Sequence, residues 1–154
     1  LLDYDVNHLR QRFELASTLP RARTIGARVA EHLAALPRTL IHGEFYASNV
    51  LFDRDAATTR VRAVDWETCG IGPGALDLAA LTAGSWNESE RCRIERAYVD
   101  ACPPHLRPAK DDLDHARLLL AAQWVGWASE WRPPAEHAHD WRREALTLIE
   151  KLGL

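Results

Sequence analysis

The chain has 154 residues, of which 47% are hydrophobic and 27% are charged, and its formal net charge is -3. This length fits a single domain over residues 1–154 with a core of its own. The small negative charge, without any run of lysine and arginine, argues against a nucleic-acid partner. No apolar run approaches the ~20 residues of a membrane span, and the sequence does not open with a signal-peptide pattern, so we expect no membrane partner and a cytoplasmic location.

The cysteines and the first residues give two further expectations. Cys69, Cys92 and Cys102 form no Cys-x-x-Cys pair and are odd in number, which predicts reduced thiols in a reducing compartment. The chain begins Leu-Leu-Asp-Tyr-Asp and contains no methionine. We therefore expect it to be a piece of a longer protein.

The first half of the chain predicts two helices followed by short strands. Apolar residues recur at helical spacing over residues 5–17 and again over 23–36, and a proline follows each segment. The period then changes to short β-branched or apolar runs, the last two of which would form a hairpin through the turn DRDAATT. These predicted strands occupy residues 39–42, 49–53 and 60–66. The stretch GIGPG at residues 70–74 predicts a loop.

The second half predicts helices. One begins within LDLAALTAG, two span residues 88–102 and about 110–131, and a last one starts near Trp141. Trp124, Trp127 and Trp131 share one stripe of the long helix, and this helical spacing favours core or interface packing over ligand binding. The order of elements predicts a mostly helical α+β domain with a small β insert, because strands and helices do not alternate along the chain.

Three polar side chains stand at the ends of predicted strands. Glu44 and Asn49 lie within LIHGEFYASNVLFD, residues 40–53, and Asp65 directly follows RVRAV. The predicted hairpin would return Asp65 close to Asn49. Carboxylate and amide oxygens suit Mg²⁺, which keeps water and substrate phosphates in its other positions. A second carboxylate nearby can accept a proton from an attacking hydroxyl or orient it.

Three motifs in order resemble those of the aminoglycoside phosphotransferase and choline kinase-like family, which shares the protein-kinase fold. The family pattern is HGD-x₄-N, then D-[WFI]-[EG] after a short hairpin, then D-L-A, and the related kinase motifs keep the same acid-to-amide spacing. The matching residues here are His42-Gly43-Glu44 with Asn49, Asp65-Trp66-Glu67, and Asp77-Leu78-Ala79. The resemblance is close over about residues 23–85 and implies the C-terminal lobe of a kinase-like fold, whose hairpin insert carries the catalytic and metal loops.

The resemblance also implies roles for the chemical side chains. Glu44 takes the place of the catalytic aspartate that receives or orients the acceptor hydroxyl. Asn49 and Asp65 take the places of the Mg²⁺ ligands that bridge the nucleotide phosphates. Glu67 is implied as a ligand of a second metal ion.

Two further positions and the cofactors follow from the same resemblance. His42 and Asp77 match positions that support the catalytic loop by hydrogen bonds. The implied activity is transfer of the γ-phosphate of ATP or GTP to a hydroxyl of a small molecule, such as an aminoglycoside or an amino-alcohol, with Mg²⁺. A Gly-rich phosphate loop is not found before residue 40, so we expect the nucleotide-clamping N-terminal lobe to be a partner, in cis or as a separate fragment. The isolated chain is expected to be inactive.

Other functions fit parts of this pattern. A zinc deaminase also uses H-x-E, but it needs a downstream Pro-Cys-x-x-Cys that the sequence lacks. A catalytically inactive kinase-like binding or scaffold module is favoured by Glu44 in place of aspartate and opposed by Asn49 and Asp65, because a scaffold needs no metal ligands. A purely structural interpretation, in which these side chains only cap strands, leaves the ordered motifs unexplained. The sequence leaves the scaffold alternative open.

Overall fold

The computed structural model describes residues 1–53, 60–84, 86–128 and 139–154. In this part of the chain, helices predominate over short strands. The helices are α1 (Val6–Glu14), α2 (Ala22–Ala34), α3 (Ala75–Leu81), α4 (Glu88–Ala101), α5 (Lys110–Trp127) and α6 (Trp141–Leu152). The strands are β1 (Leu2–Asp3), β2 (Arg38–Ile41), β3 (Val50–Asp53), β4 (Arg60–Ala63) and β5 (Gly70–Pro73). The predicted mostly helical α+β fold is confirmed.

The first two helices form where the apolar spacing predicts them and pack directly on each other. Phe13 of α1 and Val29 and Leu33 of α2 are fully buried. Gly26 allows the close approach, because a Cβ at this position would lie 2.8 Å from Cδ1 of Phe13. The side chain of Asp5 accepts a hydrogen bond from the backbone N–H of His8 and begins α1.

Helix α5 packs against α1, α2, α3 and α6 and is the centre of the helical core. Its most deeply buried positions include two polar residues, Asp114 and Gln123, which apolar periodicity does not predict. The Asp114 carboxylate is paired across the helix interface, with Lys151 Nζ of α6 at 2.5 Å. Trp124 and Trp127 are only partly buried. The predicted end of this helix, residues 129–131, lies outside the described residues.

The predicted loop at residues 70–74 is wrong, because residues 70–73 form the middle strand of a three-stranded sheet. Strand β5 pairs in parallel with β1 and antiparallel with β2. Its glycines are there for close packing, not for a turn: a Cβ on Gly70 would lie 2.3 Å from the carbonyl oxygen of Leu2, and one on Gly72 would lie 2.8 Å from Cδ1 of Ile41. The two-residue strand β1 was not predicted.

The predicted hairpin strands are present as a two-stranded sheet. Strands β3 and β4 pair antiparallel, with Val50 opposite Ala63 and Phe52 opposite Val61. Strand β4 ends at residue 63, three residues earlier than predicted, and most of the predicted turn lies outside the described residues. Phe52 is 61% exposed and Val61 is 58% exposed, so the described residues leave one apolar face of the hairpin uncovered.

The helices give no sign of a membrane span. Within the described ranges, none of them is both long enough and apolar enough to cross a bilayer.

Candidate active site

The loop that carries Glu44 begins where β2 ends, in a turn that requires glycine. Gly43 has φ +86°, which lies in the left-handed region that other residues disfavour. A Cβ on Gly43 would lie 2.2 Å from the Tyr4 hydroxyl oxygen and 2.5 Å from the Thr68 carbonyl oxygen. The Tyr4 hydroxyl donates to that carbonyl at 2.7 Å, and Thr68 Oγ1 donates to the carbonyl of His42 at 3.2 Å. The turn is therefore enclosed by residues from two distant parts of the chain.

Asp77 supports the same turn from the first turn of α3. Its Oδ2 accepts from the backbone N–H of His42 at 2.7 Å, and its Oδ1 accepts from that of Gly43 at 2.9 Å. Burial raises the pKa of Asp77 above its ordinary value, although the two backbone hydrogen bonds act in the opposite direction. The structure thus places Asp77 where the expected supporting role needs it, and the role itself stays a prediction.

His42 links the turn at Gly43 to the segment that carries Asp65. Its ring is 2% exposed, and Nε2 lies 2.8 Å from the carbonyl oxygen of Val64. Because a carbonyl only accepts, Nε2 carries the proton and Nδ1 is left as an acceptor, and the backbone N–H of Glu44 faces it at 3.4 Å. The ring also lies against Trp66, with centroids 4.7 Å apart. The imidazole therefore lies between the two loops and contacts both of them.

Asn49 is held with its amide nitrogen turned back into the loop. Nδ2 donates to the carbonyl of Glu44 at 3.0 Å, so the amide oxygen is the atom left for a ligand. The backbone carbonyl of Asn49 accepts from the N–H of Val64 at 3.0 Å. This last bond brings the Asn49 segment beside the residue preceding Asp65, as the predicted hairpin requires.

Asp65 and Glu67 lie on the exposed segment between β4 and β5. Asp65 has φ +66°, and a left-handed backbone at a residue other than glycine is strained and typical of functional sites. The neighbouring Trp66 Nε1 donates to the carbonyl of Ala63 at 3.0 Å, which fixes the chain on either side of Asp65. Glu67 is exposed in a turn, and no hydrogen bond of its side chain to another described residue was found.

Glu44 is half-buried, and its backbone carbonyl accepts two hydrogen bonds within the loop. This carbonyl accepts from the N–H of Tyr46 at 2.8 Å in addition to the Asn49 amide. Burial raises the pKa of Tyr46 to about 12, and the charge of Glu44 adds to the rise. The Glu44 carboxylate also contributes to the raised pKa of Tyr4. The charge of Glu44 therefore contributes to the raised pKa of both Tyr4 and Tyr46.

The oxygen donors fit the expected cation. Across residues 1–53, 60–84, 86–128 and 139–154, no three His, Cys, Asp or Glu side chains are grouped as a metal site. A Mg²⁺ ion needs few protein ligands, since phosphates and water fill the rest of its octahedron. The amide oxygen of Asn49 and the carboxylate of Asp65 are donors of that kind, and the implied role of Glu67 at a second metal ion stays a prediction.

Sequence reasoning missed three residues that contact or border this site. Tyr4 and Thr68 enclose the turn at Gly43, and Trp124 of α5 meets the ring of Tyr46 edge-on, with centroids 5.9 Å apart. No local pattern marks the first two, because only the pairing of β1 with β5 brings Tyr4 to Thr68. The helical spacing of the tryptophans predicts that Trp124 packs against another element, but it does not predict that this element is the loop that carries Tyr46.

Comparison with known proteins decides the family. A family model described as "Phosphotransferase enzyme family" matches residues 2–110. The chain belongs to the phosphotransferase enzyme family. The match extends on both sides of the closely resembling residues 23–85, and it covers β1 and α1 as well as the loops that carry Glu44, Asn49 and Asp65.

A solved structure shows that this chain has a kinase-like fold. It is similar to a choline/ethanolamine kinase family protein from Mesorhizobium loti, with a TM-score of 0.56 and 19% sequence identity over 99% of this chain. The match covers 55% of that protein, so this chain spans little more than half of its structural neighbour. No curated protein matches the chain at a significant level. The expected kinase-like family is confirmed.

Proposed function

We propose that this chain is the catalytic C-terminal lobe of a small-molecule kinase. In the whole protein it transfers the γ-phosphate of ATP or GTP to a hydroxyl of a small molecule. The observation that carries the proposal is the hydrogen-bonded unit at the loop: the Asn49 amide donates to the Glu44 carbonyl at 3.0 Å, while the Asn49 carbonyl accepts from Val64, next to Asp65. A carboxylate, an amide oxygen and a second carboxylate are thereby held on two adjacent loops.

Each side chain has a distinct task in this reaction. The acceptor oxygen forms a bond to the γ-phosphorus, the bond from that phosphorus to the bridging oxygen breaks, and the nucleoside diphosphate leaves. Glu44 orients the acceptor hydroxyl and takes its proton. Asn49 and Asp65 would hold Mg²⁺, which neutralises phosphate charge when it is bound. Catalysis then rests on positioning and charge, because the transfer needs no covalent intermediate with the protein.

The surroundings of Glu44 favour an amine-bearing acceptor, such as an amino-alcohol or an aminoglycoside. The aromatic side chains of Tyr46 and Trp124 lie beside the loop, and aromatic faces attract cations. A cationic acceptor would also be drawn to the Glu44 carboxylate. Its amine and its hydroxyl would then be bound by neighbouring groups of the same site.

The proposal includes an N-terminal lobe that supplies the nucleotide clamp. The uncovered apolar face of the β3–β4 hairpin, with Phe52 and Val61 exposed, is the surface on which we place that lobe and the base of the nucleotide. A cytoplasmic location is part of the same proposal, because ATP and Mg²⁺ are available there. Cys69, Cys92 and Cys102 are free thiols, which suits a reducing compartment.

A catalytically inactive binding or scaffold module remains the second candidate. The observation in its favour is Glu44, one methylene longer than the usual aspartate, because misplacement of a reacting group by ~1 Å can cost on the order of 10²-fold in rate. The retained Asn49 and Asp65 oppose it. The half-buried Phe45 and Tyr46 that follow Glu44 supply bulk with which the loop could accommodate the longer side chain.

The test is phosphoryl transfer by the full-length protein with Mg²⁺ and ATP or GTP, across amino-alcohols and aminoglycosides. Product is followed by ³¹P NMR and mass spectrometry. Glu44→Gln should lower kcat by at least about 10²-fold, because the amide cannot take the proton, while nucleotide affinity changes little. Glu44→Asp keeps the charge but shortens the reach, so its kcat should fall between the two.

The outcomes separate the two candidates. Transfer by the wild type that is lost in Glu44→Gln supports the kinase. A Glu44→Gln variant that transfers phosphate as fast as the wild type removes the assigned role of the carboxylate. Nucleotide binding with no transfer to any acceptor in the panel favours the scaffold module.

A further inference from the structure

Aromatic side chains form a continuous row from the catalytic loop to the last helix. The ring of Tyr46 meets Trp124 of α5 edge-on, at a centroid distance of 5.9 Å and an interplanar angle of 70°. Trp124 stacks on Trp141 of α6, at 5.5 Å and 9°. His139, just before α6, meets Trp141 edge-on at 4.4 Å. We refer to Tyr46, Trp124, Trp141 and His139 as the aromatic row.

The inner end of the row lies within the loop, at a residue whose backbone makes two hydrogen bonds there. The backbone N–H of Tyr46 donates to the carbonyl of Glu44 at 2.8 Å, and the Tyr46 carbonyl accepts from the N–H of Asn49 at 2.9 Å. Tyr46 is thus the link between the two residues whose placement the reaction needs. A shift of its backbone, which follows its ring, disturbs one or both of these hydrogen bonds.

The outer end of the row is anchored independently of the loop. Trp141 is the first residue of α6, and Asp140 caps this helix by accepting from the N–H of Arg143 at 2.9 Å. Nε2 of His139 donates a hydrogen bond to the carboxylate of Glu144 of α6. Because paired aromatic rings stabilise each other beyond the area that they bury, the contacts of the row can hold the loop against thermal displacement.

We propose that the aromatic row is a positioning element of the enzyme, through which Trp124 and Trp141 hold Tyr46 and so set the placement of Glu44 and Asn49. The proposal rests on the proposed function. The rings of Trp141 and His139 act through their neighbours and do not touch the reacting atoms. Because the burial of Tyr46 raises its pKa to about 12, its phenol stays neutral across the usual assay range and does not contribute a titration of its own.

The experiment removes the ring of Trp141, which stacks on Trp124 and lies on α6 rather than on the loop. Trp141→Ala in the full-length protein should raise the hydrogen-exchange rates of the Tyr46 and Asn49 amides by about 5- to 10-fold, which is what the loss of one aromatic pair predicts. It should lower kcat by at least about tenfold, with the nucleotide KM changed by less than about threefold. The pH profile of kcat should keep its shape, because the substitution removes no ionisable group. Trp141→Phe should restore most of kcat and of the protection.

A matched control separates positioning from loss of stability. Leu148 lies on α6, is 7% exposed and belongs to the core, so Leu148→Ala weakens the packing of the same helix and leaves the row in place. This variant should lose at least as much free energy of unfolding as Trp141→Ala, with the two loop amides still protected and kcat within about threefold of the wild type. Trp141→Ala should therefore lower both the free energy of unfolding and the protection of the loop amides, whereas Leu148→Ala should lower only the free energy of unfolding.

The results also separate this inference from the proposed function. Equal loosening of the loop in Trp141→Ala and Leu148→Ala, or unchanged loop protection in Trp141→Ala, overturns the positioning role. If the wild type transfers no phosphate, the proposed function fails. The exchange experiment still decides in that case whether the row holds the loop, because it does not depend on turnover.

Discussion

Replacement of Asp77 tests how the catalytic turn is supported. Asp77→Ala leaves the backbone N–H groups of His42 and Gly43, now 2.7 Å and 2.9 Å from carboxylate oxygens, without acceptors. Hydrogen bonds to a charged group contribute about 1.5–3 kcal/mol each, so the gross loss is about 3–6 kcal/mol. The raised pKa of Asp77 shows that burying its charge has a cost, which the substitution removes. We therefore expect a net loss of about 2–3 kcal/mol in the free energy of unfolding.

Urea unfolding of the full-length protein and hydrogen exchange measure this effect. The control is Asn87→Ala, which removes a side chain that accepts from the N–H of Glu90 at 2.9 Å at the start of α4, for about 1 kcal/mol. In Asp77→Ala, the His42 and Gly43 amides should exchange faster, and in Asn87→Ala they should not. Equal losses of stability in the two variants, with the His42 and Gly43 amides unchanged, would refute the assignment of Asp77 as the support of the turn.

The pH dependence gives a second measure of the same carboxyl group. Because its folded-state pKa is raised from the ordinary 3.8, Asp77 binds its proton more tightly in the folded protein. Its titration therefore stabilises the fold fully below about pH 3.8, and this stabilisation is lost as the pH rises through the raised pKa. Asp77→Asn should remove that part of the pH dependence, although it loses stability overall because the amide nitrogen cannot accept a backbone N–H.

Three further predictions concern the metal, the nucleotide and a histidine pair. Asp65→Ala should abolish nearly all turnover of the full-length enzyme while its circular dichroism stays unchanged. Asn49→Ala should raise the Mg²⁺ concentration needed for half-maximal rate. Undiminished transfer in Asp65→Ala would contradict the metal assignment. The 154-residue chain by itself should bind ATP weakly or not at all, so micromolar affinity of the monomeric chain in calorimetry would contradict the need for an N-terminal lobe. His115 stacks on His32 with ring centroids 3.8 Å apart, and burial lowers its pKa from 6.5, with the charge of His32 as a smaller cause. The contribution of His115 to stability is therefore present above about pH 6.5 and lost as the pH falls through its lowered pKa, and a His115→Gln variant with the same acid sensitivity as the wild type would argue against it.

Local sequence determines most of the helices and the identity of the family motifs. The spacing of apolar residues and the following prolines predict α1 and α2 within a few residues, because a helix that packs on a core must repeat its apolar face. The order of His42, Glu44, Asn49, Asp65 and Asp77 indicates the family, because the family motifs keep these side chain types at fixed spacings along the chain. These features depend on near neighbours in the chain, which the sequence displays directly.

Tertiary structure alone decides the features that depend on distant contacts. Gly70 and Gly72 suggest a loop by composition, but the backbone of Leu2 and the side chain of Ile41 come so close that only glycine fits, and the segment is a central strand. An aspartate such as Asp114 is expected at the surface from its sequence. In the structure it is buried, and the packing of α6 on α5 brings Lys151 Nζ to 2.5 Å from its carboxylate. The aromatic row belongs to the same class, because the stacking of α6 on α5 joins rings from segments that lie far apart in the sequence. The sequence therefore determined the family motifs and the candidate site residues, and the packing of the helices and strands decided which residues hold them in place.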